Sequence, residues 1–455
     1  MLNKIKYDFG NNWEVYNIMK TNLKRLTAMA LCTGMLCMTA CGSHKDKDEK
    51  KDETNIDGSE GVEGTIHVEP IENIADDFIR GVDVSSYIVE KDSGVQYKDF
   101  EGNILNDEEF FSFLADCGIN WVRVRVWNNP YDRDGNGYGG GNNDIEKAIT
   151  IGKYATDAGM KVLIDFHYSD FWTDPGKQQS PVEWADKTVD EKAVLLCEFT
   201  KDSLTRLKQA GINVSMVQIG NETNNGIAGE KNPDNVYKLM KAGSEAIRGV
   251  SKDIKIAVHY TNPESVEYTY FAGKLIDAGV DFDVFATSYY PYWHGTLENL
   301  KNNLQAVVDK YHKEVMVAET SYAYTTKDGD GFANNVGENK DGFSFTYDIS
   351  VQGQASEIRY VMATINSIGD NGLGVFYWEP AWIPVEVWKP GSDVYESNKI
   401  KWEKYGSGWA SSFAASYDPE DAGKYFGGSS WDNQALFDFE GNPLESLKVF
   451  LEVTK

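Results

Sequence analysis

The sequence is poor in cysteine, in histidine and in basic residues, and each shortage excludes a class of protein. Five cysteines among 455 residues are too few for a disulfide-stapled scaffold. Six histidines, with no His-x-His or His-Glu-x-x-His spacing, argue against a zinc enzyme. Only 44 lysines and arginines stand against 71 acidic residues, and the net charge of −27 repels the phosphates of nucleic acid. We therefore expect no nucleic-acid partner.

Aromatic and other apolar residues, by contrast, are plentiful. Hydrophobic residues make up 41% of the chain, which is typical of a globular protein with a large core. Aromatic residues reach 13%, with 12 tryptophans and 25 tyrosines. Flat aromatic side chains suit the apolar faces of sugar rings, so the composition favours a carbohydrate ligand.

The N-terminus reads as a bacterial export signal. Basic residues at 20–25 precede an apolar stretch at 26–40, which is too short to span a bilayer. The stretch ends at Cys41 and resembles a lipobox, with Met38 in place of the usual leucine. We predict a lipoprotein-type signal over the first 41 residues, lipidation of Cys41 and a true start at Met19. The alternative is an ordinary cleaved signal and a freely secreted chain.

A charged segment follows the signal. Residues 42–76 include a run at 44–53 without apolar side chains, which cannot offset its ordering entropy by burial. We predict a disordered linker over 42–76 and one catalytic domain over 77–455. In this interpretation the protein is extracellular, on the cell surface, and touches the membrane only through its lipid anchor.

From residue 78 onward, short apolar runs alternate with amphipathic stretches. The predicted strands are 78–84, 121–127, 161–167, 215–219, 255–259, 282–288, 315–318 and 374–378. The predicted helices are 106–117, 142–159, 186–210, 234–250, 264–279, 296–312 and 352–368. Eight such units indicate an α/β fold, specifically a (β/α)8 TIM barrel. A doubly wound open sheet is the alternative, but no G-x-G-x-x-G follows the first strand.

Two glutamates close strands on roughly opposite sides of the predicted barrel. Asn221-Glu222 ends strand four and Glu319 ends strand seven, where barrel enzymes place their active sites. Glycoside hydrolysis with retention requires two carboxyls about 5–5.5 Å apart, one protonated and one ionised. Arg123 and Arg125 of strand two can supply the cation that keeps Glu319 ionised, while Glu222 holds its proton against an aromatic side chain.

Several longer motifs extend this interpretation. In the runs 81–87, 122–128, 165–177, 218–222, 318–322 and 376–382, the chain from 78 to 455 resembles glycoside hydrolase family 53, the endo-β-1,4-galactanases of arabinogalactan type I. The resemblance implies an endo-acting, retaining enzyme that cuts galactan by double displacement. It further implies that Glu222 is the acid/base, Glu319 the nucleophile, and Asn221 a partner of the sugar 2-hydroxyl. A tyrosine after strand six, either Tyr289 or Tyr290, would orient the nucleophile.

Further candidates for substrate binding lie in the loops after the strands. Four tryptophans can form the floor of a cleft, and Lys177 can hydrogen-bond sugar hydroxyls. The complete predicted set is Arg125, His167, Trp172, Asp174, Lys177, Asn221, Tyr289, Tyr290, Trp293, Trp378 and Trp382.

A metal site is predicted after strand seven. Asp328, Asp330 and Asn334 place oxygen ligands at intervals that can wrap a hard cation. The resemblance implies a structural Ca²⁺ that ties this loop to the one after strand eight. It adds as ligands the carbonyl of Phe332, which stands where a histidine is often found, together with Ser429 and Asp432.

Two rival functions remain open at this stage. One is another retaining barrel glycosidase, of the β-1,4-mannanase or cellulase type, with the same carboxylate pair. The other is a non-catalytic carbohydrate-binding lipoprotein. We expect a monomer that meets a polysaccharide, and we expect Cys117 and Cys197 to be buried thiols too far apart to bridge.

Overall fold

The computed structural model describes residues 65–337, 343–420, 422–425 and 427–455. Within this part of the chain, eight parallel strands close into a barrel in sequence order, β1 pairing with both β2 and β8. The strands are β1 Ile79–Asp83, β2 Trp121–Val126, β3 Lys161–Phe166, β4 Val214–Ile219, β5 Lys255–Tyr260, β6 Val284–Ser288, β7 Glu314–Thr320 and β8 Gly372–Trp378. The prediction of a TIM barrel is confirmed, and closure of the sheet excludes the doubly wound alternative.

Helices connect successive strands and cover the outside of the barrel. They are α1 Tyr87–Asp92, α2 Asp107–Asp116, α3 Ile145–Asp157, α4 Val189–Gln209, α5 Pro233–Val250, α6 Tyr268–Asp277, α7 Leu297–Tyr311, α8 Val351–Asn366, α9 Val394–Tyr405, α10 Ala422–Tyr425 and α11 Val449–Glu452. Side chains fix several of their starts. Asn106 and Thr188 each accept a hydrogen bond from the third residue of the helix, and a glutamate there returns one.

The core has two layers that follow from this arrangement. Inside the barrel, the half nearer the N-terminal ends of the strands is filled by fully buried residues such as Leu163, Met216, Met316 and Phe376. A larger layer of apolar side chains packs between the outer faces of the strands and the helices. The half nearer the C-terminal ends of the strands is instead lined by charged side chains, and the functional site lies there.

The backbone turns sharply where strands end at the mouth. Tyr168, Glu222, Asn262 and Glu379 all adopt positive φ angles of 51°, 47°, 65° and 53° just after β3, β4, β5 and β8. Left-handed geometry costs a non-glycine residue on the order of 1 kcal/mol, so the fold holds these residues in place against strain. Between β6 and β7, Thr287 pairs with Val317 but Ser288 pairs with Glu319, so one extra residue bulges next to the mouth.

The segment before β1 differs from its prediction. Ile71 is buried and its amide bonds the carbonyl of Val453, while Ile66 and Ile74 pack against the core. Arg359 of α8 also donates to the carbonyls of this segment. The predicted disordered linker is therefore wrong for residues 65–76, because its apolar residues find a docking surface that charge composition does not reveal. Cys41 and residues 42–64 lie outside the described chain.

Two smaller predictions also have outcomes here. Cys117 and Cys197 are both free, as predicted, but only Cys117 is buried and Cys197 is half-buried. No helix in the described part of the chain is both long and apolar enough to cross a membrane.

Candidate active site

Glu222 and Glu319 line one cleft of about 550 Å³ at the mouth of the barrel. Glu319 is the penultimate residue of β7, and Glu222 follows β4 after a glycine at positive φ, Gly220. A side chain on Gly220 would collide with Thr223 at 2.5 Å, so the tight turn that presents Glu222 requires glycine there. The structure thus brings together the two carboxylates that the sequence singled out.

Glu319 sits in a cationic setting. Arg123 Nη1 lies 2.9 Å from Glu319 Oε1, and the Tyr290 hydroxyl donates to Oε2 at 3.0 Å. Two more carboxylates, Asp83 at 2.9 Å and Asp165 at 2.8 Å, fix the fully buried Arg123 from below. Burial raises the pKa of Glu319, and the guanidinium of Arg123 opposes that rise.

Glu222 sits in a setting without a cation. Ser288 Oγ donates to Glu222 Oε1 at 2.6 Å, and Thr261 forms a second hydroxyl contact. None of the ion pairs found among the described residues involves Glu222. Burial, and next the charge of Glu319, raise the pKa of Glu222 to about 8. Near neutral pH, Glu222 therefore holds a proton, while Glu319 is the member of the pair beside a guanidinium.

Five predicted substrate ligands lie beneath the cleft rather than along it. Arg125 is paired with Glu379 at 2.5 Å and covered by the Trp172 ring at 4.6 Å. His167 bonds Asp165 and the Trp127 indole, so its ring supports the arginine network. The predicted residues that are buried and do not line the cleft are Arg125, His167, Asn221, Tyr289 and Trp382. Buried partners hold these side chains below the surface of the cleft, and their part in substrate binding stays a prediction.

The two tyrosines after β6 have different partners. Tyr290 reaches Glu319, whereas the hydroxyl of Tyr289 donates to the carbonyl of Gly295 at 3.1 Å, away from the cleft. Asn221 is also anchored, because its amide donates to the Thr173 carbonyl at 2.9 Å and its oxygen accepts from Arg123 at 3.1 Å.

Aromatic side chains line the remainder of the cleft. The predicted residues found in its lining, besides the two glutamates, are Trp172, Asp174, Lys177, Tyr290, Trp293 and Trp378. The sequence did not predict the lining residues Thr173, Pro175, Thr261, Asn262, His294, Asn335, Phe343, Trp409 and Trp431. Trp409 lies 5.4 Å below the Lys177 ammonium, and that ammonium also pairs with Asp418 at 2.8 Å. A tryptophan that follows a glycine, as in Gly408-Trp409, is the only local signal for it.

A second acidic cluster lies beside the cleft. Oxygens of Asp328, Asp330 and Asp432 all lie within 4.8 Å of one another, and Asp330 and Asp432 are fully buried. Backbone amides link the two loops: Ser429 N donates to Asp330 at 2.7 Å and Gly329 N to Asp432 at 3.0 Å. Burial raises the pKa of Asp330 to about 8 and that of Asp432 well above its ordinary value.

A closed barrel with a proton-bearing glutamate and a guanidinium-paired glutamate in one aromatic cleft has the features of a glycoside hydrolase. Comparison with known proteins agrees and is more specific. Residues 79–450 match the model of glycosyl hydrolase family 53, and the chain belongs to that family.

Three relatives illustrate the similarity and cover between 82% and 95% of this chain. The endo-beta-1,4-galactanase of Bacillus subtilis (strain 168) is 50% identical over 433 residues, which is 95% of this chain and 97% of that protein. A GH53 catalytic domain from Ignisphaera aggregans superposes with a TM-score of 0.75 at 38% identity, covering 86% of this chain and 100% of that one. A fungal beta-1,4-galactanase structure gives 0.62 at 29% identity, covering 82% and 98%.

Proposed function

We propose that this chain is an endo-acting, retaining hydrolase of β-1,4-galactosidic bonds in galactan and arabinogalactan type I. The substrate class comes from relatives named as β-1,4-galactanases. The chemistry rests on one observation, the unequal setting of two glutamates in a shared cleft. Arg123 contacts Glu319, whereas the contacts of the Glu222 carboxyl within the described residues are hydroxyls.

In the first step, a Glu319 oxygen attacks the anomeric carbon while the bond to the leaving oxygen breaks. Glu222 gives its proton to that oxygen, and a glycosyl ester forms on Glu319. In the second step, Glu222 takes a proton from water, the water oxygen attacks the anomeric carbon, and the ester breaks. Two inversions leave the product with the β configuration of the substrate.

Other residues assist these steps in the proposed mechanism. Tyr290 donates a hydrogen bond to Oε2 of Glu319 and so holds the carboxylate in a fixed orientation for its attack on the sugar. Asn221, next to Glu222, is the candidate partner for the 2-hydroxyl of the sugar beside the cut. The tryptophans of the cleft offer stacking surfaces for sugar rings along the chain.

Reducing-sugar release from β-1,4-galactan, β-1,4-mannan and carboxymethylcellulose tests this proposal. We expect release from galactan alone, abolished in Glu319→Ala and unchanged in the exposed control Glu298→Ala. Preference for mannan or cellulose would favour the rival glycosidases. Binding of galactan without hydrolysis by the wild type would favour the non-catalytic lipoprotein.

We also propose a structural calcium ion between the loops after β7 and β8. The donor set fits a hard cation, since three carboxylates converge and two of them are buried. The Phe332 side chain has no donor atom and its ring lies 6.4 Å from that of Trp402, so only the backbone oxygen of Phe332 is suited to the ion. The proposed ligands are Asp328, Asp330, Phe332, Asn334, Ser429 and Asp432. The ion would supply charge neutralisation and hold the loops together, without a part in the proton transfers.

We further propose that the protein is exported and anchored through a diacylated Cys41. The basic, apolar and cysteine-terminated order of residues 20–41 supports this. Two acyl chains on one cysteine would give stable attachment, which a single chain does not. The wild type should fractionate with membranes and Cys41→Ser should not. A soluble extracellular wild type with another N-terminus would support the alternative of free secretion.

A further inference from the structure

The part of the cleft behind Glu222 contains two buried histidines, each standing behind a hydroxyl that contacts the acid/base candidate. His259 Nε2 lies 3.0 Å from Ser288 Oγ, and His294 Nε2 lies 3.4 Å from Thr261 Oγ1. Ser288 and Thr261 are the hydroxyl partners of the Glu222 carboxyl. Each histidine therefore contacts, on the side away from Glu222, a hydroxyl that hydrogen-bonds the Glu222 carboxyl.

His294 differs from His259 because it also contacts the nucleophile side. Its Nδ1 accepts the backbone N–H of Tyr290 at 3.1 Å, and Tyr290 donates its own hydroxyl to Glu319 at 3.0 Å. The backbone N–H of His294 returns a hydrogen bond to the Tyr290 carbonyl at 3.0 Å. One imidazole ring therefore spans the residues that hold Glu222 and the residue that holds Glu319.

The protonation pattern of this ring follows from its partners. A backbone N–H can only donate, so Nδ1 must be the bare nitrogen and Nε2 must carry the hydrogen. Nε2–H then points at Thr261 Oγ1 as a donor, which leaves the Thr261 hydroxyl hydrogen for Glu222. His294 is 3% exposed, and burial lowers its pKa to about 3, so the ring stays neutral and keeps this tautomer.

Thr261 itself is rigidly placed. Its backbone exchanges two hydrogen bonds of 2.9 Å with the side chain of Asn224, which lies in the turn just after Glu222. The threonine thus moves with the acid/base loop, and only its hydroxyl direction remains to be set. His294 is the partner that sets it.

We propose that His294 is a positioning residue that couples the two halves of the reaction, orienting Thr261 toward Glu222 through Nε2 and Tyr290 toward Glu319 through Nδ1. The inference rests on the proposed roles of the two glutamates. It assigns no contact of His294 with the sugar.

Two amide substitutions separate the two ring nitrogens. His294→Asn keeps an acceptor near the position of Nδ1 and loses the reach to Thr261. His294→Gln keeps a donor near the position of Nε2 and loses the acceptor for Tyr290. The exposed His312, at the end of α7, gives a matched control as His312→Asn.

The readout compares galactan with a dinitrophenyl β-galactobioside, whose leaving group needs no proton. We expect His294→Asn to lower kcat/KM for galactan about tenfold, the loss of one hydrogen bond, and to leave the dinitrophenyl substrate within twofold. His294→Gln should lower kcat/KM for both substrates by similar factors, since Glu319 attacks in both. His312→Asn should change neither.

Coupling gives a second test that a general loss of stability would not reproduce. In a Thr261→Val background, His294→Asn should have no further effect on galactan cleavage. Full additivity of Thr261→Val and His294→Asn would overturn the proposal. It would also be overturned if His294→Asn and His294→Gln each lowered kcat/KM equally for galactan and for the dinitrophenyl substrate.

A measurement on the unmodified protein covers the case in which the variants fail to fold. Histidine ¹⁵N NMR of the whole wild-type chain should show His294 as the neutral Nε2–H form across pH 5–8. A Nδ1–H form or a charged ring would overturn the proposal. A wild type that does not cleave galactan would refute the proposed function instead, and the two failures are therefore distinguishable.

Discussion

Two clusters of buried carboxylates lie at the same end of the barrel, and the protein compensates their charge in different ways. In the catalytic cluster, Arg123 and Arg125 form ion pairs with Asp83, Asp165, Glu319 and Glu379. In the cluster of Asp328, Asp330 and Asp432, the partners found among the described residues are backbone amides and the Asn334 amide, with no ion pair.

The difference separates charges that the chain satisfies itself from charges that need an external cation. Two guanidiniums that share four carboxylates are a permanent part of the fold, and Arg123 can bias Glu319 toward its ionised form. Three converging carboxylates without a basic partner are costly to ionise unless a metal ion arrives. Four experiments can break or sharpen this distinction.

Removal of Arg123 should have the largest effect. Arg123→Met leaves Asp83, Asp165 and Glu319 buried without their shared cation, which should cost about 3–5 kcal/mol in the free energy of unfolding. Cleavage of galactan should fall by about 10³-fold, because Glu319 loses its ion pair. Denaturant unfolding and kcat/KM measure the two effects.

Arg248 provides the control for this change. It pairs with Asp281 and Asp283 near the surface, so Arg248→Met should cost about 1 kcal/mol or less and leave activity unchanged. Equal losses in the free energy of unfolding of the two variants would mean that the buried ion pairs of Arg123 contribute no more stability than surface ion pairs.

Removal of metal should affect the other cluster. If Ca²⁺ binds only the folded chain, saturation at about 100 times Kd adds about 2.7 kcal/mol, and chelator should lower Tm accordingly. Asp330→Ala should abolish the chelator effect. Asp132→Ala should keep it, because Asp132 already accepts hydrogen bonds from Asp134 and Asn136 within its own loop. An unchanged wild-type melting curve in chelator would contradict the metal site.

The two adjacent tyrosines after β6 offer a finer comparison. Tyr290→Phe removes the hydrogen bond to Glu319 and should lower kcat/KM by about tenfold or more. Tyr289→Phe removes a bond to the Gly295 carbonyl, away from the cleft, and should stay within about threefold of the wild type. A larger loss of kcat/KM in Tyr289→Phe than in Tyr290→Phe would show that Tyr289, not Tyr290, orients the nucleophile.

The pH profile should show the smallest effect, a shift of one limb. Glu222 must be protonated to act as the acid, and its pKa is raised to about 8. Below that pH the acid form is populated, so the alkaline limb of kcat/KM for galactan should lie near pH 8. The acidic limb belongs to Glu319, which must be ionised to attack and whose pKa burial raises. A dinitrophenyl substrate should lack the alkaline limb because its leaving group needs no proton. A basic limb near pH 5 would contradict the protonated state assigned to Glu222.

The strands and helices of the barrel were predictable from sequence, because each has a local pattern of apolar residues. Each strand follows from a short apolar run, and the seven predicted helices follow from amphipathic stretches, some of which end in glycine or begin with a cap such as Thr188. The helices Tyr87–Asp92, Val394–Tyr405, Ala422–Tyr425 and Val449–Glu452 were not predicted. The glutamates and the acidic loops were found because their residue types at strand ends carry chemistry. The roles of the glutamates and the metal remain predictions.

What sequence could not supply are the contacts between distant segments. Arg125 and His167 occupy strand ends as expected, yet buried partners hold them below the cleft. Trp409 belongs to the long stretch after β8, and no local pattern places it beside Lys177. Ile71 lies within an apparently polar linker, and only the surface near Val453 explains its burial.

Azide rescue tests the central claim, the division of labour between Glu222 and Glu319, most directly. With a dinitrophenyl β-galactobioside, Glu319→Ala should yield the inverted α-glycosyl azide, since azide replaces the missing nucleophile. Glu222→Ala should form the glycosyl ester and yield the retained β-glycosyl azide. Inverted azide from Glu222→Ala and retained azide from Glu319→Ala would contradict the account and exchange the two roles.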